Sequence, residues 1–163
     1  MRVIFLDFDG VLNSLQFVNY YRRYNGRYPD IQKQFCQVAC ANLQWLLDEI
    51  PDAKIVVSSR WRIRKDPQDL KSLLHSMAGV DPARVIDRTT NFGGRPRGHE
   101  IADWLEKHSE VKSFVILDDD SDMDPVMDYL IQTSALNGLT MKDAQMARDI
   151  LRNIVWDPRK LEE

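Results

Sequence analysis

Five short apolar runs, residues 2–6, 53–57, 84–86, 113–117 and 129–132, alternate with segments whose apolar positions recur at helical spacing. This alternation narrows the possible folds more than any other feature of the chain. The helical segments are 38–50, 67–78, 98–108 and 140–154, the last opened by Thr140 with Asp143 three residues on, the pattern of a capping box. Parallel strands need a long crossover, and a helix usually supplies it. The pattern therefore predicts an α/β fold, a five-stranded parallel sheet with the first strand central and helices on both faces. The 163 residues suffice for one such domain with its core, and nothing reads as a linker or a repeat, so residues 1–163 are expected to form a single domain.

In an open parallel sheet, ligands bind beyond the carboxyl ends of the strands. Three of the predicted strands end in reactive side chains: RVIFLDFD in Asp7 and Asp9, KIVVSS in Ser58 and Ser59, and FVILDDD in Asp118, Asp119 and Asp120. Asp7 and Asp9 lie two apart, so extended backbone points them to one side, and Gly10 permits a sharp exit from the strand. A single aspartate at a strand end is usually a cap. Several converging on one rim are different, because carboxylates about 5 Å apart repel by about 3 kcal/mol per pair at an effective dielectric of about 20. No histidine lies in these motifs, and an all-oxygen donor set suits a hard cation, most simply Mg²⁺.

DFDGVL (residues 7–12), IVVSS (55–59) and VILDDD (115–120), in this order and each at a strand end, resemble the first, second and fourth motifs of the haloacid dehalogenase (HAD) superfamily of phosphohydrolases. The resemblance runs from residue 3 to about 153 and implies a Rossmann-like HAD core. GRPRGHEIADWL, FVILDDDSDM and NGLTMKDAQMARDIL further resemble a small phage and bacterial branch grouped with RNA-repair proteins and polynucleotide 3′-phosphatases. The resemblance makes Asp7 the nucleophile that becomes an aspartyl-phosphate, and Asp9 the general acid and then the base. It gives Ser58, with Ser59 beside it, a phosphate-binding role. Mg²⁺ falls to Asp7, the backbone carbonyl of Asp9, and Asp119, with Asp118 supporting that shell. The third motif, a cation just before a helix, is met by Arg97 or by Arg95; Arg97, at the helix start, is preferred.

Many relatives that select small metabolites insert a large cap domain after the first motif or between the second and third. Residues 13–37 and 59–95 are too short for one, so no large cap is expected. An open site admits the end of a polymer. FVNYYRRYNGRYPD (17–30) mixes tyrosines with Arg22, Arg23 and Arg27, and Arg60 and Trp61 follow the second motif directly. Aromatic rings with cations suit single-stranded nucleic acid, so these five residues are candidate substrate contacts; a short amphipathic flap over the site is the equal alternative for 17–30. The favoured function is a Mg²⁺-dependent phosphomonoesterase acting on a nucleic-acid 3′-phosphate end, DNA or RNA. A nucleotidase, a small-molecule phosphatase, or a binding module that has lost the chemistry are the alternatives.

A hydrophobic content of 44% with 29% charged residues excludes a disordered tail, and the net charge of −3 conceals basic clusters at 22–27, 60–65 and 94–98. No apolar stretch approaches the roughly twenty residues of a membrane span, and Met1 leads straight into the first strand, so a cytoplasmic protein without membrane contact or an obligate protein partner is expected. Cys36 and Cys40 read as reduced core thiols, the three histidines as surface or packing residues, Trp45 and Trp104 as core, and Asp122 as the cap of a short helix in MDPVMDYL or part of the metal's outer shell.

Overall fold

A computed structural model describes residues 1–30 and 35–161. Five strands, β1 (Arg2–Leu6), β2 (Ala53–Val57), β3 (Val85–Arg88), β4 (Ser113–Asp118) and β5 (Leu130–Gln132), form one sheet of order β3-β2-β1-β4-β5, all neighbours parallel. β1 is central, as the sequence predicts. Its side chains alternate between two apolar layers: Ile4 and Leu6 enter one core, Val3 and Phe5 the other. Buried on both faces, β1 and β4 read as unbroken apolar runs rather than as alternating ones.

On the first face lie α2 (Gln37–Glu49), α3 (Pro67–Ala78) and α5 (Met141–Asn153), which contribute Leu43, Leu46, Leu70, Leu74, Ala144 and Leu151 to that core. On the second lies α4 (Arg97–Glu106), with Ile101, Trp104 and Leu105 packed against Phe114 and Trp156. Trp104 and Phe114 both meet the ring of Phe5 edge to face, at 5.4 and 5.7 Å. Thr140 and Asp143 form the expected capping box of α5.

Three expectations need correction. Residues 15–25 form a helix, α1 (Leu15–Asn25), capped by Ser14 and ended by Gly26. It buries no residue, although its apolar positions recur at helical spacing, with Phe17, Val18 and Tyr21 half-buried. The predicted third strand at 84–86 is shifted to Val85–Arg88, since Asp81 caps a 3₁₀ turn at Pro82–Arg84. MDPVMDYL yields only a 3₁₀ turn at Met127–Tyr129, and Asp122 does not cap it. Asp122 serves α4 instead, as described below.

Among the described residues no helix is long and apolar enough to cross a membrane. Cys36 and Cys40 are free thiols.

Candidate active site

The sheet register builds the site. Leu6 pairs with Val57 on one side and Leu117 on the other, so the residues that follow, Asp7, Ser58 and Asp118, emerge side by side at one rim. Backbone bonds extend the ladder by one step: Asp7 N–H donates to Leu117 C=O and Ser58 N–H to Leu6 C=O, both at 3.0 Å. Carboxylate oxygens of Asp7, Asp118 and Asp119 then lie within 4.8 Å of one another. Asp7 and Asp118 are buried and Asp119 half-buried.

Gly10 makes room for this cluster. It sits at φ +74°, a left-handed conformation, and a Cβ there would stand 2.2 Å from Asp119 Cγ. Asp119 thus reaches the rim only across a residue that has no side chain. Its backbone is fixed from behind by Gln132 Nε2, which donates to Asp119 C=O at 3.1 Å.

Arg97 neutralises part of the cluster. Its Nη1 donates to Asp7 Oδ2 at 2.6 Å and also to Asp118 Oδ2. Burial works against the guanidinium's charge, but Asp7 and Asp118 outweigh it and hold Arg97 protonated more firmly than an ordinary arginine. Burial, and then the neighbouring charge of Asp7, push the Asp118 carboxyl up to about 7, with Arg97 pulling the other way. The same two causes, in the same order, raise Asp119.

The placement of Arg97 depends on how α4 begins. The N-cap, Pro96, has no side-chain acceptor for the first N–H groups of the helix. Asp122 supplies two: its Oδ2 accepts from Arg97 N–H at 3.1 Å and its C=O from Gly98 N–H at 3.0 Å. Gly98 allows that approach, since a Cβ there would meet Asp124 O at 2.3 Å. The segment following the fourth motif therefore fastens the helix that carries Arg97. Arg95, the alternative for the third motif, is exposed and lies over the Phe92 ring at 5.4 Å, with no contact to the acids.

Asp9 stands apart from the acid cluster. Its carboxylate is exposed; Oδ2 accepts from Trp61 Nε1 at 2.8 Å and Oδ1 lies 3.5 Å from Asn13 Nδ2. Trp61, a candidate substrate contact, is half-buried, edge-on to Phe8 at 5.5 Å and against Phe35 at 5.8 Å. Of the two serines, Ser59 Oγ caps the 3₁₀ turn Arg60–Arg64 through Trp61 N–H at 3.4 Å. Ser58 Oγ is buried and has no hydrogen-bond partner among the described residues.

Sequence reasoning missed Arg62, which belongs to a basic run that looked solvated. It is buried, donates to Ser58 C=O, to Ser59 C=O at 2.9 Å and to Thr89 C=O at 3.0 Å, and pairs with Glu100. One signal was present: Arg97 and Glu100 are three apart, hence on one face of α4, so an acid beside the third motif needs its own cation. Arg22, Arg23 and Arg27 are exposed at the end of α1 and just beyond it, and Arg22 is engaged with Tyr28 through a 2.7 Å hydrogen bond and the ring face. Arg60 is exposed beside the second motif.

The acid cluster fits a divalent cation. Three carboxylates against one guanidinium, which pairs with Asp7 and Asp118 only, leave an excess of negative charge, and their oxygens are the donors that Mg²⁺ takes. A profile described as the HAD domain in Swiss Army Knife RNA repair proteins matches residues 3–144. No curated protein and no solved structure matches the chain.

Proposed function

The chain belongs to the family of HAD domains in Swiss Army Knife RNA repair proteins, and from that premise we propose that it is a Mg²⁺-dependent phosphomonoesterase working through a phosphorylated Asp7. The observation that carries this reading is the meeting of Asp7, Asp118 and Asp119 within 4.8 Å beside a guanidinium. A carboxylate so placed can attack phosphorus while cations beside it draw off the charge that builds on the phosphoryl oxygens.

In the first step an Asp7 carboxylate oxygen bonds to phosphorus, the ester P–O bond breaks, and Asp9 gives its proton to the departing oxygen. In the second, water attacks the phosphorus of aspartyl-phosphate, Asp9 takes the water's proton, and the P–O bond to Asp7 breaks to release phosphate. Arg97 holds the attacking carboxylate in place and offers its remaining N–H groups to the phosphoryl oxygens. The orphaned Ser58 hydroxyl is a further donor for them. Asp7 and Asp119, with the Asp9 carbonyl and with Asp118 in support, would hold Mg²⁺, which would supply charge neutralisation on the phosphoryl oxygens.

The favoured substrate is a nucleic-acid 3′-phosphate end. Residues 10–29 contain no acid, and α1 within them exposes Tyr20 and Tyr24, ring centroids 4.4 Å apart, next to Arg22 and Arg23. Such a surface suits a single strand. Phosphate release from nucleotides, sugar phosphates and 3′- or 5′-phosphorylated oligonucleotides, with and without Mg²⁺, tests the reading. Metal-dependent release with the 3′-phosphorylated oligonucleotide fastest is expected. Release from none of them would leave a binding module.

A further inference from the structure

A cleft of about 530 Å³ has Arg97 in its lining but none of the three clustered acids. It lies between the 3₁₀ turn after the second motif and the loop that leads into α4. Arg62 and Arg97 line it but are buried and committed to acids. Arg60 and Arg95 line it too, one from each segment, and both are exposed. Among the described residues neither has a carboxylate partner; Arg95 rests on Phe92, and the Arg60 side chain makes no hydrogen bond. The two acids of the lining, Glu100 and Asp122, are already engaged, Glu100 by Arg62 and the Phe92 N–H and Asp122 by the Arg97 N–H.

Two guanidiniums without counter-ions facing one concavity make a site for an oxyanion, because a concave low-dielectric wall concentrates the field and each planar fork can grip a phosphate bidentately. Gly93 and Gly94 leave one wall without side chains, and a Cβ on either would meet nothing within 4 Å, so that wall is open to a bulky ligand. Arg97 belongs to both places: it touches Asp7 and it lines the cleft. A phosphoryl group presented to Asp7 therefore has this cleft as its neighbour.

We propose that the cleft binds a second phosphate of the substrate, adjacent to the one transferred to Asp7, with Arg60 and Arg95 as its ligands. The proposal rests on the phosphomonoesterase reading above and extends it: the preferred substrate carries two phosphates, as a nucleoside 3′,5′-bisphosphate or a 3′-phosphorylated dinucleotide does. Arg95, which does not serve the acid cluster, thereby has a role of its own.

The test compares kcat/KM for adenosine 3′-monophosphate, adenosine 3′,5′-bisphosphate and a 3′-phosphorylated dinucleotide in the wild-type protein and in R60A/R95A. The wild type is expected to favour the bisphosphate over the monophosphate by about tenfold, the worth of one or two charge-assisted hydrogen bonds, and the double variant to bring that ratio close to one. A ratio near one in the wild type, or a ratio unchanged in the variant, overturns the proposal. The dinucleotide separates the two sources of a second phosphate: parity with the bisphosphate means that a diester suffices, whereas a preference for the bisphosphate alone means a terminal phosphate. R60Q/R95Q, which keeps the aliphatic stems, repeats the comparison if the alanine pair fails to fold. Should the wild type hydrolyse none of the compounds, the phosphatase reading fails by itself, and calorimetric titration with adenosine 3′,5′-bisphosphate decides the cleft. Binding weakened about tenfold by R60A/R95A sustains the site; absent or equal binding ends it.

Discussion

Trp61 Nε1 donates a 2.8 Å hydrogen bond to Asp9 Oδ2. An indole N–H can only donate, so Asp9 Oδ2 accepts from it, while Oδ1 faces the donor Asn13 Nδ2 at 3.5 Å. Trp61 is in turn fixed edge-on to Phe8, the residue between the two motif acids. The tryptophan thus sets the direction of Asp9, the residue proposed above to deliver a proton.

Trp61→Phe keeps the ring packing and removes the N–H. The kcat for alkyl phosphates, whose leaving oxygen needs a proton, is expected to fall about tenfold, the worth of one hydrogen bond to a charged group, with a smaller loss for p-nitrophenyl phosphate. Steady-state kinetics on the two esters check this. Equal losses on both would mean that Trp61 matters for packing alone.

Asp7→Asn is expected to abolish turnover while the fold persists, because the amide keeps the shape and loses the nucleophile. Circular dichroism should be unchanged, and the metal-free melting temperature no lower than that of the wild type, since one of three crowded carboxylates is gone. A phosphate-release rate near that of the wild type would rule out covalent catalysis by Asp7.

Mg²⁺ is expected to raise the melting temperature of the wild-type protein in a concentration-dependent way, as any ligand of the folded state does. Chelation should remove activity and added Mg²⁺ restore it. Asp119→Asn should lose most of the thermal shift, which differential scanning calorimetry reads without any substrate. An equal shift in wild type and variant would place the ion elsewhere.

Cys40 carries an alkaline signature. Burial, with Cys36 adding to it, pushes its thiol from 9.0 to about 12. Between those values the unfolded chain gives up a proton that the folded chain keeps, so this contribution is intact below about pH 9 and is lost as pH rises toward 12, by about 1 kcal/mol per pH unit. Urea melts at pH 8 and pH 10 should show a larger loss in the wild type than in Cys40→Ala. The same loss in both would assign the alkaline decline to other groups.

If α1 tracks a strand, kcat/KM for a 3′-phosphorylated oligonucleotide should fall more steeply with salt than for a mononucleotide, because each backbone contact releases counterions. Replacing Arg22, Arg23 and Arg27 with alanine should flatten the difference. Equal slopes in the wild type would favour a nucleotidase.

The strand and helix alternation was readable because β1, β2 and β4 are buried on both faces and carry apolar runs, Val3–Leu6, Ile55–Val57 and Phe114–Leu117. The convergence of Asp7 and Asp118 was readable for a related reason: parallel strands put their ends at one rim, and the ladder steps by whole residues. What escaped depends on side chains crossing between elements. Nothing local to RWRIRK tells that Arg62 turns inward to Glu100 while Arg60 stays out. Asp122 looked like the cap of its own segment, yet it serves a helix that begins 25 residues earlier. α1 buries no residue, yet its apolar positions recur at helical spacing, so this helix was legible in a run read for its tyrosines and arginines.

Gly10 changes how relatives of this chain should be read. With a methyl group at this position overlapping the Asp119 carboxylate at 2.2 Å, a homologue could retain every acid of the site and still fail to assemble it. Loss of function in this lineage therefore need not leave its mark on a charged residue. A screen for inactive members that inspects only the aspartates would pass such a protein as active, whereas one that also asks whether the third residue after Asp7 is bare would catch it.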